Sequence, residues 1–194
     1  MKGTCLLAAI ALLVMALPAP AQTAPAANAS IFDKAVNKPS IAWQVYGTNQ
    51  AAKQVAATGD VPGGQAVRVS VTRPAAYPYD VGATQATNKP IASGDTIFLL
   101  ITLRAPSAKE GAGIPIPIGA SEADTPYTPI SAETVQVGPT WKRYYATGVA
   151  TKAYAAGKAR IALQLGGAKQ VVEIGPAFLL DLGPGFDQSK LPRN

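Results

Sequence analysis

Hydrophobic and polar residues alternate along most of this chain in short segments, which glycine, proline, asparagine or aspartate separate from one another. In residues 66–73 (AVRVSVTR) the three valines would share one face of an extended chain, and the polar residues would share the other. Residues 41–46 (IAWQVY) alternate in the same way, with Tyr46 on the polar face. Alternation of this kind is typical of β-strands with one buried and one solvated face, so we predict a strand in each segment.

Three segments depart from simple alternation. Residues 96–104 (TIFLLITLR) are apolar on both faces at their start, which predicts a central strand between two layers. Residues 114–118 (IPIPI) contain prolines that cannot donate to a strand ladder, so we predict an edge strand or a polyproline stretch there. For residues 51–57 we expect at most a short helical turn. Further strands are predicted at residues 141–150, 159–165 and 171–181.

Many short strands with few helices predict an all-β fold, a two-layer antiparallel β-sandwich. We place this single domain at residues 31–187, with a flexible tail at residues 188–194. Periodicity alone leaves the strand order open between a jelly roll and an immunoglobulin-like arrangement.

The N-terminal residues have the pattern of a signal peptide. Lys2 is followed by an apolar run at residues 5–17 and by the small residues of Ala19-Pro20-Ala21. The run is shorter than the roughly 20 residues of a spanning helix. We therefore predict a signal peptide at residues 1–21, cleaved after Ala21, a disordered spacer at residues 22–30, and a secreted or periplasmic protein with no membrane span.

Composition excludes several kinds of chemistry. The chain has no histidine, and its one cysteine, Cys5, lies in the predicted signal peptide. Catalytic triads with histidine, thiolate nucleophiles and Cys or His metal sites are thereby excluded. The net charge is +6, but the cations are scattered rather than gathered into a stripe, so we expect no nucleic-acid partner. Because a glycosidase needs only two carboxyl groups, an acid-only hydrolase or lyase stays an alternative to a non-catalytic protein.

The remaining side chains suit sugars, which are bound by aromatic rings together with planar hydrogen-bonding groups. The loop Tyr77-Pro78-Tyr79-Asp80 offers two rings and an acceptor, while Arg104 and Gln164 bring polar groups to otherwise apolar strands. Alternatively, Arg104 pairs with a carboxylate such as Asp181, and Gln164 is an ordinary outward residue. The candidate ligand-binding residues are Tyr46, Arg68, Tyr79, Asp80, Arg104, Tyr127 and Gln164.

The order of the segments resembles the jelly-roll carbohydrate-binding modules of the family 4, 9 and 22 group, which are appended to xylanases and related glycoside hydrolases. The resemblance covers residues 31–183 and rests on YDVG, GDTIFLLITLRA, GPTWKRYYATGVAT, AGKARIALQLG and FLLDLG in that order. It implies jelly-roll topology and a groove over one sheet that binds xylan-like or β-glucan-like chains. It also implies roles for Tyr79 as a sugar platform, for Arg104 and Gln164 as groove residues, and for Asp181 as support for a structural calcium; no other cofactor is expected.

We therefore expect a non-catalytic, secreted carbohydrate-binding protein whose partners are polysaccharides or oligosaccharides. The alternative from another class is an adaptor that has lost sugar binding and docks a glycoside hydrolase or an envelope protein.

Overall fold

Ten β-strands and four short 3-10 turns make up the regular structure of residues 30–59 and 61–194, which the computed structural model describes. The predicted signal peptide lies outside the described residues, as does the predicted spacer apart from Ser30. The strands are β1 (Gln44–Tyr46), β2 (Gln50–Ala56), β3 (Gln65–Val71), β4 (Gly82–Ala86), β5 (Asp95–Arg104), β6 (Ile114–Glu122), β7 (Pro129–Val137), β8 (Lys142–Val149), β9 (Ala159–Gln164) and β10 (Gln170–Pro184).

The strands form two five-stranded antiparallel sheets. One, the front sheet, has the order β1-β4-β9-β6-β7, and the other, the back sheet, has the order β2-β3-β10-β5-β8. The chain passes repeatedly from one sheet to the other, so neighbours in a sheet are seldom neighbours in sequence. This confirms the predicted all-β, two-layer jelly-roll sandwich. No helix in residues 30–59 and 61–194 is long and apolar enough to span a membrane.

The core lies between the sheets and is built by the alternating residues of each strand. Ile161 and Leu163 of β9 face Leu99 and Ile101 of β5 across the interior, and all four are fully buried. β5 carries Phe98 on its other face, and apolar residues on both faces predict a central strand. The structure confirms this: a second apolar cluster covers the outside of the back sheet. Its members are Ala35, Phe98, Leu180 and Leu182, with Leu100, Tyr145, Phe178, Phe186 and Leu191 packed against them.

The C-terminal residues predicted as a flexible tail lie against the back sheet. Leu191 packs on the outer cluster. The Asn194 side chain accepts a hydrogen bond from the Tyr145 amide at 2.9 Å and donates one to the Tyr145 carbonyl at 2.8 Å. β8 is an edge strand, and the unpaired backbone groups of an edge strand can pair with another chain. Asn194 satisfies two of these groups at Tyr145.

Two local predictions differ from the structure. Residues 51–57 do not form a helical turn, because β2 pairs with β3 from Gln50 to Ala56 and this pairing outweighs the helix preference of alanine. The proline segment belongs to β6, which is internal to the front sheet rather than at its edge. Both prolines nevertheless lie where β6 pairs with β7 alone, since pairing with β9 begins only at Ile118. The missing donors are thus tolerated.

Candidate functional site: a groove across the front sheet

An open groove with a volume of about 590 Å³ crosses the outer face of the front sheet. Strands β1, β4, β9, β6 and β7 all contribute to it, together with the loops that precede β4 and β7. The lining residues are Gln44, Tyr46, Tyr79, Thr84, Pro117, Ile118, Gly119, Ala120, Ser121, Pro126, Tyr127, Pro129, Ser131, Ala132, Arg160, Ala162 and Gln164.

Small side chains make the floor of the groove. The strand register places Gln44, Thr84, Ala162, Gly119 and Ala132 opposite one another in a row that runs across all five strands. Because the three middle strands contribute only threonine, alanine and glycine to this row, the sheet surface is depressed between taller side chains on either side. The groove is therefore a direct consequence of side-chain size along one row of the sheet.

Tyr46, Gln164 and Tyr79 form one wall. In the next row of the sheet Tyr46 lies opposite Gly82, and Gly82 lies opposite Gln164. The absence of a side chain at Gly82 lets the Tyr46 ring lie over β4, since a Cβ atom there would be 2.5 Å from the Tyr46 hydroxyl. Burial raises the pKa of Tyr46, and the nearby Arg160 opposes this rise. The hydroxyl therefore stays protonated at neutral pH and can donate to a ligand.

Tyr77 orients the Tyr79 ring in the loop before β4. The two rings stack, with centroids 5.1 Å apart and planes 4° from parallel, and 54 % of Tyr79 is exposed. Asp80, predicted as a ligand acceptor, instead accepts a hydrogen bond from the Tyr77 amide at 2.9 Å and does not line the groove. Its role in the structure is to close the turn that presents Tyr79.

Arg160 and Tyr127 form the opposite wall. The Arg160 guanidinium carbon lies 4.5 Å from the Tyr127 ring centroid, a cation–π contact. Tyr127 has a φ of 60°, which is uncommon for a residue with a side chain, and its amide donates to the Asp124 carbonyl at 2.8 Å. The structure therefore brings four predicted residues together, namely Tyr46, Tyr79, Tyr127 and Gln164. It adds Arg160, which sequence reasoning missed although Arg160, Ala162 and Gln164 alternate on one face of β9.

Arg68 and Arg104 are not part of this groove, which corrects their prediction as ligand-binding residues of one site with Tyr46, Tyr79 and Tyr127. Both are on the back sheet, where Glu173 of β10 is opposite Arg68 of β3 and Arg104 of β5. Nε of Arg68 donates to Glu173 Oε1 at 2.7 Å, and Nε of Arg104 donates to Oε2 at 2.6 Å. Arg104 thus pairs with a buried carboxylate, as the alternative held, but with Glu173 rather than Asp181. Alternation correctly predicts that Arg68 points away from the core, but it does not predict to which of the two sheets β3 and β5 belong.

The fully buried Glu173 remains ionised because of these two arginines. Burial raises the pKa of its carboxyl group, but hydrogen bonds and charge from Arg104 and Arg68 outweigh burial and hold the pKa below its usual value. The cluster is a structural ion pair that joins the three central strands of the back sheet.

The residues around Asp181 do not fit the calcium site that the resemblance implied. Asp181 Oδ1 accepts from the Gly183 amide at 2.9 Å, and the neighbouring Asp95 accepts from the Ala92 amide at 2.9 Å. Calcium takes about six to eight oxygen ligands. Within the described residues no group of three or more aspartate, glutamate, histidine or cysteine side chains could hold a metal ion. Burial, followed by Asp95, raises the pKa of Asp181.

Comparison with known proteins gives the fold. No family model and no curated protein matches the sequence. Among solved structures, a family 4 carbohydrate-binding module superposes with a TM-score of 0.53 at 16 % identity, covering 78 % of this chain and 99 % of that one. The CBM22-1 xylan-binding domain of Paenibacillus barcinonensis Xyn10C gives 0.52 at 11 % identity, covering 78 % and 94 %. The chain has the fold of these carbohydrate-binding modules.

The same fold occurs within a larger enzyme. An arabinose-bound GH51 α-L-arabinofuranosidase matches with a TM-score of 0.54 at 15 % identity over 76 % of this chain, which spans only 25 % of the enzyme's length. The resemblance predicted from the order of segments is thereby confirmed as a resemblance of fold.

Proposed function

We propose that this protein is a secreted or periplasmic, non-catalytic carbohydrate-binding protein that holds polysaccharide or oligosaccharide chains, xylan-like or β-glucan-like, in the groove of the front sheet. The observation that carries the proposal is the groove itself, an open channel in which exposed tyrosine rings stand beside a floor of small side chains.

The chemistry of the lining matches that of a sugar chain. Pyranose rings present C–H groups that pack on aromatic faces, and Tyr79 and Tyr127 are 54 % and 49 % exposed in the groove. The hydroxyl groups of the sugar need planar donors and acceptors, which the amides of Gln44 and Gln164 supply. Because the groove is open rather than enclosed, it suits a segment of a longer chain.

Several observations support a non-catalytic role, the choice of glycan and export of the protein. No aspartate or glutamate is among the described residues that line the groove, whereas glycoside hydrolysis uses a pair of carboxyl groups. The chain contains no histidine. The xylan-binding domain with the same fold supports the choice of glycan. The N-terminal pattern supports export, and mass spectrometry of the exported protein is expected to find Gln22 as its first residue.

The test is affinity electrophoresis through gels that contain xylan, mannan or β-glucan, followed by calorimetry with matching oligosaccharides. The protein is expected to be retarded by at least one glycan, and Tyr79→Ala and Gln164→Ala are each expected to weaken binding about tenfold. Phe32→Ala is the matched control, because Phe32 is 48 % exposed but its ring packs at a tilt against Phe178 of the back sheet, away from the groove. It should bind like the unaltered protein.

Three results would contradict the proposal. Unchanged mobility in every gel would remove sugar binding and favour the adaptor that docks a glycoside hydrolase or an envelope protein. Equal weakening by Phe32→Ala would place the site elsewhere. Glycan turnover that falls when a specific aspartate or glutamate is replaced would show an enzyme.

A further inference from the structure

Arg160 is a cation in the groove without a carboxylate partner among the described residues. No ion pair or hydrogen bond of its guanidinium group is formed there, and its Nε atom is shielded from solvent with nothing to donate to. Its contact with the Tyr127 ring orients the group but does not satisfy its donors. Only Nε is shielded in this way, and Arg160 is partly exposed, so the other donors of its guanidinium group can be satisfied by a ligand in the groove.

Nearby lysines are, by contrast, already neutralised. Lys152 is paired with Glu122, and Lys158 is paired with Asp124 at 3.1 Å. Arg160 is thus the one charged side chain among the described residues that line the groove. The two nearby lysines are paired with carboxylates, whereas Arg160, the cation that lines the groove, is not.

The other end of the groove is uncharged in the described part of the chain. Its lining residues there are Tyr46, Tyr79 and Gln164. Arg160 and Gln164 are four positions apart on one face of β9, about 13 Å at the usual rise of a strand. An anionic group on a ligand would therefore be drawn to the Arg160 end.

We propose that the groove selects acidic glycans, with a uronate carboxylate bound by the Arg160 guanidinium group, which packs on the Tyr127 ring, while neutral residues of the chain extend towards Tyr46 and Tyr79. This inference rests on the proposed function and specifies its ligand class. A guanidinium group offers two parallel donors to a carboxylate, and the ring beneath it restricts its orientation, so the interaction discriminates a uronate from the corresponding neutral sugar.

The test is calorimetry with matched pairs of glycans. Uronate-substituted xylan oligosaccharides and oligomers of uronic acid are each compared with their carboxyl-reduced forms, in which the same chain bears a primary alcohol. The unaltered protein is expected to bind at least one acidic form about tenfold or more tightly than its reduced counterpart. Arg160→Gln is expected to abolish this preference while keeping the affinity for the reduced form. Arg160→Lys should keep part of the preference, because the charge remains and the planar fork is lost.

Lys53→Gln controls for the general attraction of a basic protein to acidic polymers. Lys53 is exposed on β2 of the back sheet, so its replacement removes the same charge away from the groove. It should leave the preference intact. Equal affinity of the unaltered protein for acidic and reduced chains would overturn this inference alone and leave sugar binding in place. A preference that survives Arg160→Gln, with folding confirmed by an unchanged melting temperature, would also overturn it. No binding to any chain would instead contradict the proposed function.

Discussion

The Tyr127 ring faces the guanidinium group of Arg160 at 4.5 Å from its centroid, although one residue lies in the loop between β6 and β7 and the other in β9. Strands β6 and β9 are paired as far as Glu122 and Ala159, which brings the loop between β6 and β7 over the end of β9. A residue in a loop and a residue in a strand thus form one wall of the groove. That wall combines an aromatic face with a positive charge.

Replacing the Tyr127 ring tests whether this wall contacts the ligand. We expect Tyr127→Ala to weaken glycan binding about tenfold, because both the aromatic surface and the support of Arg160 are lost. Tyr127→Phe retains the ring and should bind within about twofold of the unaltered protein. Calorimetry with the best-bound oligosaccharide measures both. Equal losses in the two variants would show that the hydroxyl group, not the ring, is the contact.

The close approach of Tyr46 to Gly82 makes a second prediction. In Gly82→Ala the new methyl group would meet the Tyr46 hydroxyl and the Leu163 carbonyl, each at 2.5 Å. We expect a loss of about 2 kcal/mol in the free energy of unfolding, as is usual for overpacking, together with weaker glycan binding because Tyr46 must leave β4. Urea unfolding and calorimetry measure the two effects.

Gly138→Ala is the matched control for this substitution. No atom lies within 4 Å of a Cβ at Gly138, whose φ is not positive. It should unfold at the same urea concentration as the unaltered protein or at a higher one. If Gly82→Ala behaves in the same way, the placement of Tyr46 over β4 is wrong.

The strands and the buried faces could be predicted from sequence because each depends on alternation within one segment. Residues 66–73 alternate cleanly, and β3 shows that same alternation of buried and less buried residues. Prediction failed where pairing with a distant strand decides the outcome. The alanines of β2 carry no strand signal of their own, and the bond partners that make them a strand are in β3.

The site was predictable to the same extent. Tyr46 and Gln164 point outward by alternation, and both line the groove. The periodicity of a strand does not show which of two sheets it joins. Arg68 and Arg104 were therefore predicted to share a ligand-binding site with the tyrosines, although they belong to the back sheet. Arg160 lies on the same outward face of β9 as Gln164, so alternation within β9 also indicates Arg160 as a groove residue.

The ion pair of Glu173 makes a prediction about stability in acid. We expect Glu173→Gln to lower the free energy of unfolding by about 3 kcal/mol at neutral pH, since it leaves Arg68 and Arg104 without their buried carboxylate. The pKa of Glu173 is lowered in the folded protein, so its contribution is present above the ordinary carboxyl pKa and is lost as the pH falls through the lowered value. The difference between the variant and the unaltered protein should therefore shrink in acid.

Urea unfolding from neutral to acidic pH measures this difference. Glu133→Gln, an exposed position on β7, is the control and should have little effect. Glycan binding by folded Glu173→Gln should be unchanged, because the cluster is on the back sheet. If the difference in the free energy of unfolding stayed constant with pH, the lowered pKa of Glu173 would be wrong. Weakened glycan binding would contradict the separation of the Glu173 cluster from the groove.

Asp181 should show the opposite dependence on pH. Burial, followed by Asp95, raises the pKa of its carboxyl group above the ordinary 3.8. The folded protein therefore holds this proton more tightly than the unfolded chain, and stability is lost as the pH rises through the raised value. Asp181→Asn removes the buried charge, while its amide oxygen can still accept from the Gly183 amide. We expect its melting temperature to be about 2 °C higher than that of the unaltered protein at neutral pH, and equal to it in acid.

The control for Asp181→Asn is Asp187→Asn, because hydrogen bonds from Ser189 lower the pKa of Asp187 and its replacement should not raise the melting temperature. The experiment also tests calcium. If Asp181 helped to hold calcium, adding the ion would raise the melting temperature of the unaltered protein, and Asp181→Asn would abolish the rise. We expect the melting temperature to be the same in calcium and in chelator, because two carboxylates that are each bonded to a backbone amide leave too few oxygen ligands.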